Sequence, residues 1–252
     1  MSGYFRFPTI HNDKIVFVSE DDLWIVNIHN SIARRLTSNY GNVSSPLISP
    51  NGKIIAFIGQ EDGNTEIFTM PLNGGQSKRL TYEGGFISNI SAWKDDNIYY
   101  SSSLSSAFGR TFDLRVVSVK GGESKGLNYG MIKHISFNDN NIVLGKNTAD
   151  PARWKRYKGG TAGKLLINTT DSITFKYLFD IKGNISSPMY IGNRIYFISD
   201  HEGIANIYSC LKSGKSIKKH TQHKNYFARN ATTDNKHIIY QCGGRIFLYN
   251  LE

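Results

Sequence analysis

Cysteine is nearly absent: Cys210 and Cys242 are the only two in 252 residues, far apart and without CxxC spacing. Two such thiols build no disulfide framework, and they point to a reducing, cytoplasmic setting. No apolar stretch approaches the roughly 18 residues that cross a bilayer as a helix. The N-terminal run Met1-Ser2-Gly3-Tyr4-Phe5-Arg6 has no signal-peptide character. No membrane partner is expected. Acidic residues are outnumbered 20 to 30 by Lys plus Arg, for a formal net charge of +10. A surplus of this kind can attract nucleic acid or acidic surfaces. Here the cations are scattered, with loose groups only at 153–158 and 212–224 and no recognition-helix pattern, so nucleic acid is not an expected partner. Helical periodicity is missing throughout, which excludes α/β layouts.

What the chain does have is glycine (24), tyrosine (14) and phenylalanine (14), with Ile and Val in short clusters. Those types favour strands and tight turns. The sequence also repeats. The unit from Ser45 to Thr81 returns from Ser187 to Thr221, with Ser-Pro, an apolar run, a turn glycine, an Ile-aromatic pair and a closing Thr in the same order. Apolar runs headed by Ile15, Ile54, Ile98, Ile142, Ile195 and Ile238 recur at propeller-blade intervals, roughly 40 to 50 residues. Six runs predict an all-β, six-bladed β-propeller of four-stranded antiparallel blades. The approximate blades are 7–38, 43–82, 87–128, 132–180, 185–222 and 226–252, all in one domain.

The turns carry the expected chemistry. Pro50-Asn51-Gly52, Asp62-Gly63-Asn64 and Asn73-Gly74-Gly75 divide the second unit into four strands. Glycine and asparagine tolerate the positive φ of hairpin turns. Second strands are continuously apolar, as strands covered on both faces are. Outer strands such as residues 77–81 alternate and should face solvent. The last unit reaches a third strand at Arg245 to Asn250 with no room for a fourth. The expectation is an incomplete last blade and an open ring, a fragment or a chain with a partner, because an unpaired edge is a pairing hazard.

Several segments carry a family resemblance: Phe7-Pro8-Thr9-Ile10-His11 with Asp21-Asp22-Leu23-Trp24, the stretch Trp154-Lys155-Arg156-Tyr157-Lys158-Gly159-Gly160-Thr161-Ala162-Gly163-Lys164, and Ser186-Ser187-Pro188 through Asp200. Together they resemble the N-terminal propeller of the tricorn protease family. The resemblance implies a large cytoplasmic archaeal serine peptidase that assembles into hexamers and trims oligopeptides downstream of the proteasome. It also implies a second propeller and catalytic domains as partners. The family's catalytic serine, histidine and glutamate lie in those later domains, so this chain alone is not expected to hydrolyse peptides. The family also places an arginine pair between the second and third blades to hold a peptide's C-terminal carboxylate. Here that connection, residues 82–87, has no arginine. The role is either lost or moved to Arg110 or the fourth-unit loop.

No catalytic residue is expected. Serines and His134, His201, His220 and His223 are available, but no G-x-S-x-G elbow accompanies them. His220 with His223, Asp200-His201-Glu202 and Asp139-Asn140-Asn141 fall short of metal or calcium-loop spacing, so neither metal nor cofactor is expected. The best binding candidates are Arg110, Arg153, Lys155, Arg156 and Lys158, read as a peptide-binding group beside Trp154 and Tyr157. In the competing reading Trp154 packs between blades and the cations are merely solvated. The propeller would then act as channel, filter or docking module for oligopeptides. The alternative function is a stand-alone scaffold binding proteins or anionic polymers.

Overall fold

The computed structural model describes residues 3–30, 32–106, 108–109, 111–168 and 174–251, and forms six antiparallel sheets in sequence order. The first holds β1 (Arg6–His11), β2 (Lys14–Ser19), β3 (Asp22–Asn27) and β4 (Arg34–Arg35). The second holds β5 (Ser44–Ile48), β6 (Ile54–Gly59), β7 (Glu66–Pro71) and β8 (Lys78–Arg79). The third holds β9 (Ile87–Lys94), β10 (Asn97–Ser102), β11 (Asp113–Ser118) and β12 (Lys125–Gly126). The fourth holds β13 (Ile132–Asn138), β14 (Asn141–Lys146), β15 (Lys164–Asn168) and β16 (Phe175–Tyr177). The fifth holds β17 (Ile185–Ile191), β18 (Arg194–Ser199), β19 (Asn206–Leu211) and β20 (Lys218–Lys219). The sixth has three strands, β21 (Ala228–Thr233), β22 (His237–Cys242) and β23 (Arg245–Asn250). The fold is a six-bladed β-propeller, and among the described residues no sheet draws strands from both ends of the chain.

Each seam between blades is its own apolar cluster. Val16, Val18 and Ile25 meet Ile55, Phe57 and Phe68 between the first two blades. Ile239 meets Ile10, Ile15 and Phe17 between the last and the first. The second strands are apolar on both faces because each faces a seam on either side; Ile55, Ala56 and Phe57 are all fully buried. Burying one such side chain stabilises by about 1.5–3 kcal/mol.

The inner strands β1, β5, β9, β13, β17 and β21 line the axis. Hydroxyls stitch neighbours together there: Ile48 N–H donates to Thr9 Oγ1 (3.5 Å), Ile135 N–H to Ser91 Oγ (3.4 Å), Tyr190 N–H to Ser136 Oγ (2.9 Å) and Ala231 N–H to Ser187 Oγ (3.3 Å). The ring closes through Phe7 N–H on Gln241 Oε1 (2.9 Å) and Thr232 Oγ1 on the Pro8 carbonyl (3.0 Å). Four inner strands carry the same bulge, with φ of 48° at Phe7, 47° at Ser45, 47° at Ser187 and 48° at Asn230. Left-handed non-glycine residues are uncommon and store about 1–3 kcal/mol each. All four lie on the channel wall.

The outer strands are shorter than the alternating pattern suggests. β8 is only Lys78 and Arg79; Leu80 and Thr81 turn inward and are buried. Thr81 Oγ1 accepts the Ile67 N–H (2.9 Å) and donates to Glu66 Oε2 (2.5 Å). The same lock joins Thr37 to Leu23 and Asp22, and Thr221 to Ile207 and Asn206. Among the described residues, no helix is long and apolar enough to cross a membrane.

Candidate functional site

Along each blade the chain runs up, down, up and down. The starts of the inner strands, the connections from second to third strand and the connections between blades therefore share one face of the disc. Of these connections, residues 147–163, between β14 and β15, hold the candidate cations. The segment does not stay on its own blade. Ala149 N–H donates to the Ile185 carbonyl (3.3 Å) of the fifth blade. The buried Asp200 carboxylate accepts the Arg156 N–H (2.6 Å), the Asn184 N–H (2.7 Å) and the Asn184 side-chain amide (2.8 Å). That amide also donates to the Trp154 carbonyl (2.7 Å). Farther on, Asp150 Oδ2 takes Arg229 of the sixth blade at 2.7 Å from Nε and 2.5 Å from Nη2, and Lys155 Nζ sits 5.5 Å from the Phe227 ring centroid. The segment is a strap from blade four, over blade five, to blade six.

The strap holds Arg153, Lys155, Arg156 and Lys158 together, all exposed, and none makes an ion pair among the described residues. Arg156 is itself in the left-handed region, φ 56°, a geometry fixed by its hydrogen bond to Asp200. Arg110 lies outside the described residues. Trp154 does not pack between blades: it is 67% exposed and its ring lies 4.3 Å from that of Tyr157. The same face exposes Tyr4, Tyr82, Phe86, Phe108 and Tyr226.

Sequence reasoning missed Lys133. It stands at the start of β13, its ammonium 4.3 Å from the Phe112 ring centroid. Desolvation, and then the nearby Arg153, hold its pKa below the ordinary lysine range. Its only signal was a lysine set in the apolar run Ile132-Lys133-His134-Ile135. Beside it, desolvation and then Lys133 push His134 down to about 3. His134 is therefore neutral near pH 7, with Nδ1 2.7 Å from Thr148 Oγ1. It faces an axial cavity of about 320 Å³, lined by Ile10, Leu47, Ile90, Ser136, Tyr190 and equivalent inner-strand residues.

The connection at residues 82–87 offers no cation. Its Glu83 carboxylate turns inward to Arg115 Nε (3.1 Å), Ser102 (2.7 Å), Ser124 (2.6 Å) and Tyr100. The other candidate histidines have structural partners: His220 bonds Ser209 and Tyr249, His223 bonds Tyr240, and His201 bonds Ser199. The Ser209–His220 pair, 2.7 Å apart, is no nucleophile, because Ser209 is fully buried and its oxygen also accepts from Arg194 Nε. No group of three His, Cys, Asp or Glu among the described residues could hold a metal ion.

A family profile described as the tricorn protease N-terminal beta propeller domain matches residues 2–252. The chain belongs to the tricorn N-terminal propeller family. It is 35% identical over 259 residues to a tricorn protease homolog of Saccharolobus solfataricus, a match covering 100% of this chain and 24% of that protein. A crystal structure of the tricorn protease superposes with a TM-score of 0.92 at 32% identity, over 99% of this chain and 25% of that one. In Sulfurisphaera tokodaii the similarity divides between two tricorn-like polypeptides. An N-terminal subunit is 30% identical over 67% of this chain and 88% of its own length, and a C-terminal subunit 45% identical over 32% of this chain and 10% of its own. This chain spans about a quarter of the length of the full-length tricorn relatives.

Proposed function

We propose that this tricorn propeller admits and orients oligopeptides for a serine peptidase whose catalytic and second propeller domains are separate from residues 1–252. The observation that carries this reading is the strap, which sets four cations with no ion pair among the described residues on the face where the channel-lining inner strands start, beside Lys133 at the start of β13; none of them lines the axial cavity itself, which extends toward the opposite face at Pro50 and Asn235. Preorganised cations clustered on one face focus potential on an incoming carboxylate. Each exposed contact is worth about 0–1 kcal/mol. Four acting together reach roughly 2–3 kcal/mol, or about 30- to 150-fold in affinity. The apolar wall, exposed Trp154 and half-buried Tyr157 would take side chains without sequence preference. Action in the cytoplasm, on products of the proteasome and within a hexamer of full-length chains, belongs to the same reading. Support comes from family membership and from the S. tokodaii relatives, in which the similarity is shared between N- and C-terminal subunits.

The test is the affinity of one fluorescent hexapeptide, with a free C-terminal carboxylate and as its amide, for the chain and for a variant with Arg153, Lys155, Arg156 and Lys158 all changed to Gln. The acid should bind about tenfold or more tightly than the amide, and the variant should erase the difference. Equal binding of acid and amide would refute the reading. Tight binding of an unrelated polyanion, equal to that of the peptide acid, would favour the scaffold alternative.

A further inference from the structure

The hairpin at residues 212–217, between β19 and β20, lies on the face opposite the strap and differs in charge from its counterparts. Its sequence is Lys212-Ser213-Gly214-Lys215-Ser216-Ile217, and Lys218 then opens β20. The equivalent turn of the second blade, residues 72–77, has no charged residue. In the third blade Lys120 pairs with Asp96 (2.8 Å), and in the first His29 faces Asp13 (3.8 Å). Most of the fourth blade's turn lies outside the described residues. Neither the 212–217 hairpin nor the adjoining Gly192-Asn193 turn contains a carboxylate. Lys212, Lys215 and Lys218 are exposed, and none of them makes an ion pair among the described residues.

The hairpin is braced. Leu211 N–H donates to the Lys215 carbonyl (2.9 Å) and Gly214 N–H to the Leu211 carbonyl (2.8 Å). Arg194, half-buried at the start of β18, ties it to the sheet: Nε donates to Ser209 Oγ (2.7 Å), and Nη2 to the carbonyls of Ser209 (3.2 Å) and Ser216 (2.6 Å). These acceptors are all neutral, so they leave the guanidinium charge uncompensated. Burial, then Arg194 and Lys218, hold His220 below the ordinary histidine range. Gly214, at φ 77°, leaves a Cβ no room against the Leu178 carbonyl, so the hairpin lies against the outer segment of blade four. Lys176, exposed on β16, takes the register position of Arg34 and Lys78. Those two reach the next blade's hairpin, Arg34 Nη2 at the Asn73 carbonyl (3.0 Å) and Lys78 Nζ at the Lys120 carbonyl (2.7 Å). Lys176 therefore adds a further cation beside residues 212–217.

We propose that this corner docks an acidic, extended polypeptide segment with an apolar residue among its carboxylates, supplied by polypeptide outside residues 1–252. Charge sets the sign of the partner: like charges clustered on a braced hairpin attract an anion and speed its encounter. Ile217 sets the kind of anion. It is 40% exposed between Lys215 and Lys218, and it offers an apolar side chain a contact for which a phosphate backbone has no use. The hairpin has no ring on which a base could stack. The exposed Tyr177 ring on the adjoining strand already faces Lys164 Nζ, 5.2 Å from its centroid. The inference does not rest on peptide capture at the strap, which lies on the other face, and both sites can be filled at once.

The probe is the fluorescent peptide Glu-Asp-Leu-Glu-Glu-Leu-Asp-Glu, blocked at both ends so that it offers the strap no terminal carboxylate. Its affinity for the full chain is measured at low ionic strength, where exposed charges are least screened. Changing Lys176, Lys212, Lys215 and Lys218 together to Gln should weaken binding about tenfold or more, because exposed contacts count only in sum. All four are exposed, so the melting temperature should not move. The Gln variant of Arg153, Lys155, Arg156 and Lys158 should bind the probe within about twofold of the unchanged chain. Ile217→Ser, and separately a probe with serine for both leucines, should each weaken binding about threefold or more. Carbodiimide coupling should join the probe's carboxylates to Lys212, Lys215 or Lys218. An equal loss in the strap variant, no loss in the hairpin variant, or couplings concentrated elsewhere would overturn the proposal. So would tighter binding of a single-stranded oligonucleotide of equal charge, which would assign the corner to nucleic acid.

Discussion

Changing Asp200 to asparagine preserves shape and removes one charge, 44 residues away in sequence from the arginine whose position it fixes. The Asp200 carboxylate faces three N–H donors, from Arg156, the Asn184 main chain and the Asn184 side chain, at 2.6, 2.7 and 2.8 Å. A carboxylate satisfies all three. Asparagine keeps one acceptor oxygen and turns an NH₂ toward the remaining donors, so at least one buried N–H loses its partner. Hydrogen bonds to charged acceptors contribute about 1.5–3 kcal/mol each, and an orphaned buried donor costs about 1–3. The expected loss is about 3 kcal/mol. A domain of this size shifts by about 2–4 °C per kcal/mol, so the melting temperature should fall by roughly 6–12 °C. Calorimetry measures that fall. Hydrogen exchange should show residues 153–158 opening faster than any other exposed connection, and the peptide acid should lose its advantage over the amide. A loss below about 1 kcal/mol, the scale of a single neutral hydrogen bond, with unchanged exchange in the strap, would refute the claim that Asp200 pins it.

Thr81→Val leaves the Ile67 N–H and one Glu66 oxygen without their partner, and should cost about 2–4 kcal/mol in urea unfolding, whereas Thr81→Ser should restore most of it. His134 binds its proton far more weakly folded than unfolded, so the unfolded chain holds more protons between its ordinary value and about 3. Stability owed to neutral His134 is thus complete above the ordinary histidine range and lost as pH falls toward 3, by at most about 1.4 kcal/mol per pH unit. His134→Gln should flatten that slope without removing it, because His201, His220 and His223 are also held below the ordinary value, chiefly by burial. Peptide binding should weaken as salt rises from 0.01 to 0.15 M, where the screening length shrinks from about 30 to 8 Å; a flat salt profile would contradict an electrostatic mouth.

The blades were legible in the sequence because their signal is local. A second strand flanked by two seams must be apolar on both faces, and a hairpin must find glycine or asparagine, so Ile54 to Ile58 and Asn73-Gly74-Gly75 announce themselves. The short outer strands were not legible, because Leu80 and Thr81 continue the same alternation after turning inward. The three-stranded last sheet follows from simple counting past Gly243-Gly244. At the site, the cluster of cations from Arg153 to Lys158 could be read directly. Its meaning could not: the strap is created by Asp200, Asn184, Phe227 and Arg229, and nothing local to residues 147–163 predicts those contacts. Trp154 illustrates the same limit. An aromatic in a propeller loop suits an interblade pocket equally well, and only the tertiary course of the strap turns it outward.

The most direct measurement is photo-crosslinking of an oligopeptide that carries its reactive group next to a free C-terminal carboxylate, followed by mass-spectrometric mapping on the intact chain. The account predicts adducts concentrated on residues 153–158 and on Lys133, and their loss when the carboxylate is capped as an amide. Adducts spread along rim residues such as Lys78, Lys125 and Lys218, or indifferent to the cap, would contradict it.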